Sequence, residues 1–219
     1  LLALAADYGI PVLEDAVYHE LFYREAPPPP LKALDERGLV LYASGYSKIL
    51  LPGTRIGYLI AGGALRERLA RVKQAADVCT PGLNQRAMYV YLSSGALTGH
   101  LNRVRSELRA RCEAACAAAR RYLPEGARWA EPSGGLYLWV ELPEDGPTAA
   151  ELYVSAIQHG VAYAIGTLFH TDGSGGRFIR LNFGSQPPAR IEEGFRRLGE
   201  AWQDWQTSYQ PAVRRTPIL

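Results

Sequence analysis

Short apolar segments alternate with turn and helical segments through the first hundred residues, and this alternation restricts the chain to few fold classes. The apolar segments are Ile10–Glu14, Leu39–Ala43 and Arg55–Ala61. Such runs are typical of the buried strands of an α/β sheet. Farther along, Leu65–Ala76 predicts a helix, and Asn84 is predicted to cap a second helix that ends near Gly95. The pattern predicts an α/β fold.

A long helix is predicted over Leu97–Leu123, where apolar residues recur every three or four positions. At ~1.5 Å per residue it would be about 40 Å long, which is enough to join two domains. The segments after it predict a smaller α+β layer, with strands at Gly135–Leu142, Val161–Ile165 and Phe178–Phe183 and helices at Thr148–His159 and Pro188–Trp205. We therefore divide the chain into a large-domain part (1–100), a connecting helix (101–123) and a small domain (124–219).

Composition excludes several classes of protein. The 24 Lys and Arg residues nearly balance the 22 Asp and Glu residues, and no basic cluster suggests a nucleic-acid surface in this segment. No apolar run has the length of a membrane span, and no signal-peptide pattern is present, so a cytoplasmic location is expected. The three cysteines form no CxxC motif and the four histidines form no close pair. Buried reduced thiols are therefore expected, and a metal site is not.

The beginning of the sequence predicts that the chain is part of a longer protein. It opens LLALAADYGIPVLED without an initiator methionine, and Leu1–Ala6 has the pattern of the last turns of a helix that leads into a strand. We expect the C-terminal part of a larger protein.

Lys48 lies in an unusual stretch, SGYSKILLPGTRIGYL, where Tyr46, Ile49, Leu50 and Leu51 surround it in sequence. A lysine in an apolar pocket loses affinity for its proton, because desolvation disfavours the charged form, and the free amine can then act as a nucleophile. The alternative is a lysine whose stem is buried and whose tip reaches water. The sequence around Lys48 alone leaves both interpretations open.

The neighbours of Lys48 favour a phosphorylated aldehyde as its partner. Ser44 and Ser47 supply hydroxyl groups, Gly53 permits close approach of the backbone, and Arg55 supplies a planar set of donors suited to a phosphate dianion. Pyridoxal 5′-phosphate fits this description.

That cofactor also needs a carboxylate that keeps its pyridine nitrogen protonated. Asp15 lies at the carboxyl end of a predicted strand, where open α/β sheets bind ligands, and Tyr18 follows three residues later. An aspartate at this position can equally be a helix cap, and this alternative stays open at the level of the sequence.

Four motifs, LEDAVYHEL, SGYSKILLPGTRIGYL, PSGGLYLWVELP and FIRLNF, resemble those of the pyridoxal-phosphate-dependent aminotransferases of fold type I, class I/II. The resemblance is strongest to the 2-aminoadipate/kynurenine aminotransferase subgroup and to the aminotransferase-like domain of MocR-type regulators. It covers nearly the whole chain and keeps the order of the family. It implies the C-terminal part of a large domain with a mostly parallel sheet, followed by a smaller α+β domain.

The resemblance also implies a role for individual residues. Lys48 corresponds to the lysine that binds the cofactor as a Schiff base and moves the substrate proton. Asp15 corresponds to the partner of the pyridine nitrogen, and Tyr18 to the phenol that hydrogen-bonds to the ring oxygen O3′. Ser47 and Arg55 correspond to phosphate ligands. Where many members of the family have Ser or Thr, this chain has Gly45, with Ser44 one position earlier, which puts one phosphate contact in question.

Arg180, in FIRLNF, corresponds to the arginine that binds the substrate α-carboxylate. The strand pattern is consistent with this role, because Ile179, Leu181 and Phe183 share one face and Arg180 lies on the other. The alternative is an arginine on a solvent-facing strand.

We therefore expect a homodimeric enzyme that transfers an amino group between an amino acid and a 2-oxo acid. The alternative is an effector domain of a GntR/MocR-type transcriptional regulator, which would bind the cofactor and an amino compound without turnover. A serine hydrolase is excluded because the segment 45–49 lacks both GxSxG and SxxK. The family residues that precede the Asp15 strand are absent from this chain, so we expect the 219 residues alone to be a poor catalyst.

Overall fold

The structure of the chain, a computed structural model, describes residues 1–213, with the side chains of all but residues 64 and 209–213. The chain forms two compact units, and the second begins at Glu107. The α/β fold class predicted from the sequence is confirmed.

The first unit, Leu1–Ser106, contains a three-stranded mixed sheet. Its elements are α1 (Leu2–Asp7), β1 (Val12–Asp15), β2 (Val40–Gly45), β3 (Gly57–Ile60), α2 (Gly63–Asp77), α3 (Gly82–Ser93) and the first turns of α4 (Ala96–Tyr122). β2 is the central strand. It pairs parallel with β1 in the register Asp15↔Ala43, and antiparallel with β3 in the register Gly45↔Gly57.

The core of the first unit is small, and β3 does not contribute to it. Leu21 and Val40 are fully buried, and Met88 of α3 and Leu101 of α4 are also buried in this unit. All four residues of β3 are exposed, so the prediction of a buried strand is wrong here. The physical reason is that the described residues cover this edge strand only in part: the Tyr58 ring packs on Tyr42 and Tyr46 yet stays 41% exposed.

Asp35 fixes the start of β2. Its carboxylate accepts the backbone N–H groups of Leu39 (3.0 Å) and Val40 (2.8 Å) and pairs with Lys32 at 3.0 Å. The hydrogen bond from Val40 is the main cause that holds the pKa of Asp35 far below its ordinary value. Asp35 thus fixes the N-terminal end of β2.

In the second unit, the remainder of α4 is followed by β4 (Arg128–Trp129), β5 (Tyr137–Glu141), α5 (Ala149–Gln158), β6 (Ala164–Ile165), β7 (Phe178–Asn182) and α6 (Pro188–Val213). The four strands form an antiparallel sheet in the order β4-β5-β7-β6. The core contains Leu138 and Ile179 of the sheet and Leu152 and Leu198 of the helices.

The helix predicted over Leu97–Leu123 is confirmed as α4, which has 27 residues. Cys112 and Cys116 are buried on it, as expected, because they continue its apolar stripe. Cys79 is exposed, so the prediction of a buried thiol is wrong at that position. None of the described helices combines the length and apolar character of a membrane span.

Candidate active site

Asp15 is the last residue of β1, and Tyr18 lies just after the carboxyl end of that strand. The Asp15 carboxylate accepts the N–H of Val17 at 3.2 Å, which closes a turn, and no α-helix begins here. The helix-cap alternative for Asp15 is therefore wrong. Tyr18 lies in the same turn, and the Lys48 Nζ atom lies 5.9 Å from the centroid of its ring.

The loop between β2 and β3 carries Ser47, Lys48 and Arg55. It turns sharply after Tyr46, whose carbonyl accepts the N–H groups of both Leu50 (2.9 Å) and Leu51 (3.2 Å). This turn buries Ile49 and leaves Lys48 exposed. Of the two interpretations of Lys48 that the sequence left open, the described residues favour the lysine whose tip reaches water, because Ile49 packs inward while Leu51 is 55% exposed.

Gly45, where many members of the family have Ser or Thr, lies close to the neighbouring backbone. A Cβ atom at this position would lie 3.2 Å from the Gly57 Cα atom and 3.2 Å from the Ile56 carbonyl oxygen. A side chain at 45 would thus press on the adjoining backbone, which would have to shift by a few tenths of an ångström to admit it. Ser44, one position earlier, donates its hydroxyl to the Ala16 carbonyl at 3.2 Å and so ties β2 to the turn after Asp15.

Two helix side chains bond to the same loop, and the sequence indicated neither of these contacts. The Asn84 Nδ2 atom donates to the Thr54 carbonyl at 3.1 Å, and the His100 Nε2 atom lies 2.8 Å from the Ile49 carbonyl. Because a carbonyl only accepts, the His100 Nε2 atom carries the proton. The α3 helix begins after Pro81 without a side-chain cap, so the prediction that Asn84 caps it is wrong.

Arg55 adopts a left-handed backbone conformation, with φ 53° and ψ 37°. Residues other than glycine adopt it at a cost, and they keep it only where the surrounding structure enforces it. The bond from Asn84 to the preceding carbonyl is one such restraint.

A hollow of about 240 Å³ opens between these segments. Its lining consists of Val17, Ser44, Gly45, Ser47, Lys48, Arg55, Ile56 and Gly57. Ser47, Lys48 and Arg55 thus share one hollow, and Lys48 also reaches Tyr18. The lining offers an amine, a guanidinium and hydroxyl groups but no carboxylate, which suits a dianionic phosphate next to a reactive carbonyl.

Arg180 lies in the second unit, on the partly exposed face of β7. Ile179 and Phe183 are buried, Leu181 is 9% exposed, and all three lie on the opposite face, as predicted. The Arg180 guanidinium lies over the rings of Tyr137 and Phe169. Neither ring was singled out by the sequence analysis.

Comparison with known proteins identifies the family. The model for "Aminotransferase class I and II" matches residues 1–198. The chain belongs to the class I and II aminotransferase family. The family's cofactor is pyridoxal 5′-phosphate, and the donor set of the hollow fits it: an amine for the aldehyde, and a guanidinium with hydroxyl groups for the phosphate.

Both aminotransferases and regulators occur among the relatives of the chain. It is 37% identical to aromatic-amino-acid aminotransferase 1 of Thermococcus litoralis over 91% of its own length and 48% of that protein. It is 33% identical to the HTH-type transcriptional regulator YdfD of Bacillus subtilis, over 91% of its length and 41% of that protein. The chain thus spans about half the length of these relatives.

A solved structure supports the same family. LysN, the α-aminoadipate aminotransferase of Thermus thermophilus, superposes with a TM-score of 0.88 at 33% identity, covering 94% of this chain and 54% of that protein. LysN was solved in complex with N-(5′-phosphopyridoxyl)-L-leucine.

Proposed function

We propose that the protein is a pyridoxal-phosphate-dependent aminotransferase that transfers an amino group from an amino acid to a 2-oxo acid. The observation that carries the proposal is that Ser47, Lys48 and Arg55 line one hollow. The Nζ atom of Lys48 also lies over the Tyr18 ring, 5.9 Å from its centroid. Family membership and the likeness to aminotransferases support it.

Each candidate site residue in the first unit has a proposed role in binding the cofactor. Lys48 would bind its aldehyde through Nζ, and Ser47 and Arg55 would hold its phosphate by charge-assisted hydrogen bonds. The Asp15 carboxylate would pair with the ring nitrogen, and the Tyr18 hydroxyl would donate to O3′. When bound, the cofactor supplies a protonated ring that withdraws electrons from the substrate Cα atom.

Two residues would then act on the substrate. Once its Nζ atom is free of the aldehyde, Lys48 would act first as a base that takes the proton from the substrate Cα atom. It would act later in the reaction as the acid that gives the proton back. Arg180 would bind the substrate α-carboxylate, since a guanidinium offers two parallel N–H donors to two carboxylate oxygens. We further propose a homodimer and a cytoplasmic location, which rest on the family resemblance and on the sequence.

The second candidate function is an effector domain of a transcriptional regulator, which the 33% identity to YdfD favours. The same pocket would then bind the cofactor and an amino compound without releasing an oxo acid. Multiple turnovers of an amino acid with 2-oxoglutarate would support the enzyme. Saturable binding of amino acid without oxo-acid product would support the regulator.

The experiment that tests the site is a cofactor titration of the full-length protein, including any residues that its gene encodes outside this chain. Wild-type protein should develop the visible absorbance band of lysine-bound pyridoxal phosphate, and Lys48→Ala should not. Lys73→Ala is the matched control, because Lys73 is an exposed lysine that pairs with Asp77 on α2. A band that persists unchanged in Lys48→Ala contradicts the proposal.

A further inference from the structure

Arg180 has aromatic neighbours where many other arginines of its unit have acidic ones. Its guanidinium carbon lies 4.3 Å from the centroid of the Tyr137 ring and 4.3 Å from that of the Phe169 ring. Arg128 pairs with Glu141, and Arg197 pairs with Glu193. Arg180 forms no such ion pair with any described residue, and its buried Nε atom has no hydrogen-bond partner there. The charge of Arg180 is therefore not neutralised by the described protein.

The sheet and a tight turn hold the two rings in place. Tyr137 lies on β5, where Trp139 is the direct partner of Arg180 and Tyr137 is therefore its diagonal neighbour. Phe169 ends the 3₁₀ turn Gly166–Phe169 that follows β6, and its ring meets the Trp139 ring edge-on at 5.5 Å.

Gly166 permits this turn. A Cβ atom there would lie 2.4 Å from the Gly175 carbonyl oxygen and 2.6 Å from the Phe178 Cβ atom. The turn that presents Phe169 thus depends on the close approach of two backbone segments.

The two rings orient the Arg180 guanidinium without neutralising its charge. An aromatic ring attracts a guanidinium over its face through the ring quadrupole, and this attraction does not use the N–H groups as hydrogen-bond donors. A carboxylate partner would instead take up the donors that a bidentate ligand requires. Rings over Arg180 therefore restrict its rotamers while its remaining N–H groups stay available to an anion.

We propose that Tyr137 and Phe169 are positioning residues that hold Arg180 for the substrate α-carboxylate and so set the preference for substrates that carry one. The proposal rests on the proposed function, in which Arg180 binds that carboxylate. It adds that both rings, and not the arginine alone, determine the affinity.

The test compares two probes on the full-length protein loaded with pyridoxal phosphate. Leucine carries the carboxylate, and isoamylamine is the same molecule without it. Single-turnover absorbance changes give the ratio of their rate constants per unit concentration. Calorimetry gives the Kd of isocaproate, which carries the carboxylate and no amino group, so this readout does not depend on turnover.

Phe169→Leu and Tyr137→Leu should each lower the leucine-to-isoamylamine ratio by about 2- to 30-fold and weaken isocaproate by a similar factor, since each removes one cation–π contact. Phe169→Tyr and Tyr137→Phe keep a ring, so both should retain the wild-type leucine-to-isoamylamine ratio and the wild-type Kd of isocaproate. Tyr153→Leu is the matched control, because its ring packs on Tyr163 at 5.1 Å in the same unit. A general loss of packing would not distinguish the two probes.

Arg180→Leu distinguishes a failure of the proposed function from a failure of the positioning role of the two rings. If Arg180→Leu leaves the ratio and the isocaproate Kd unchanged, the carboxylate role in the proposed function fails, and the inference fails with it. If Arg180→Leu lowers the ratio while both ring-to-leucine variants match Tyr153→Leu, the proposed function survives and the positioning role of the rings is overturned.

Discussion

Asn84 offers the sharpest test of how the fold shapes the candidate site. Its Nδ2 atom donates to the Thr54 carbonyl, which immediately precedes Arg55 in its left-handed conformation. The substitution Asn84→Leu removes the donor, keeps the branched arrangement of four side-chain heavy atoms and favours the helix. We predict that it weakens binding of pyridoxal phosphate although Asn84 is not among the residues that line the hollow.

The magnitude follows from one hydrogen bond and one strained residue. A hydrogen bond of this kind contributes about 0.5–1.5 kcal/mol net, and a left-handed residue other than glycine costs on the order of 1 kcal/mol. Because the two energies are similar, loss of the bond lets the segment at Arg55 relax in a substantial fraction of molecules. The expected increase in the Kd for the cofactor is about 2- to 13-fold, at ~1.36 kcal/mol per tenfold.

The assay is an absorbance titration of cofactor-free full-length protein, with Asn102→Leu as the matched control. Asn102 is an exposed asparagine on α4, so its substitution repeats the chemical change on a helix without removing a bond to the loop. Equal Kd values for Asn84→Leu and Asn102→Leu would show that the bond from α3 to the loop between β2 and β3 has no effect on cofactor binding.

Three further predictions concern stability, each measured on the full-length protein. Gly45→Ala should lower the free energy of unfolding by about 1–3 kcal/mol through overpacking, whereas Gly53→Ala, where a Cβ atom meets nothing within 4 Å, should not. Thr148→Ala should cost about 0.5–2 kcal/mol in urea unfolding, because it removes the capping box with Glu151, and an unchanged midpoint would contradict that cap. The lowered pKa of Asp35 means that its stabilisation is complete above the unfolded-state value of about 4 and is lost as the pH falls below it. Thermal melts of Asp35→Asn should therefore depend less on pH in that acidic range than those of the wild type, and parallel curves would contradict the assignment.

Elements with a strong local pattern were predictable from the sequence. The period of three or four residues identified α4, and the alternation in FIRLNF placed Ile179 and Phe183 in the core. Thr148 also marked the beginning of α5 closely. In each case the signal is local, because burial on one face of a single element imposes the period.

The errors arose where contacts distant in sequence decide the structure. Asn84 has the residue type of a cap, yet its donor is used by a carbonyl 30 residues away. Lys48 has apolar neighbours in sequence, yet the turn at Tyr46 separates it from Ile49. Tyr137 and Phe169 are brought to Arg180 by strand register and by a turn, which no local pattern records. The division into 1–100, 101–123 and 124–219 stays a prediction.

Chemical trapping shows whether the amine at position 48 binds the cofactor aldehyde. Full-length protein would be incubated with pyridoxal phosphate, reduced with borohydride to make the link permanent, digested and mapped by mass spectrometry. We expect the phosphopyridoxyl group on the peptide that contains Lys48 and on no other. A label on Lys32 or Lys73, or no stable label on Lys48 at saturating cofactor, would contradict it.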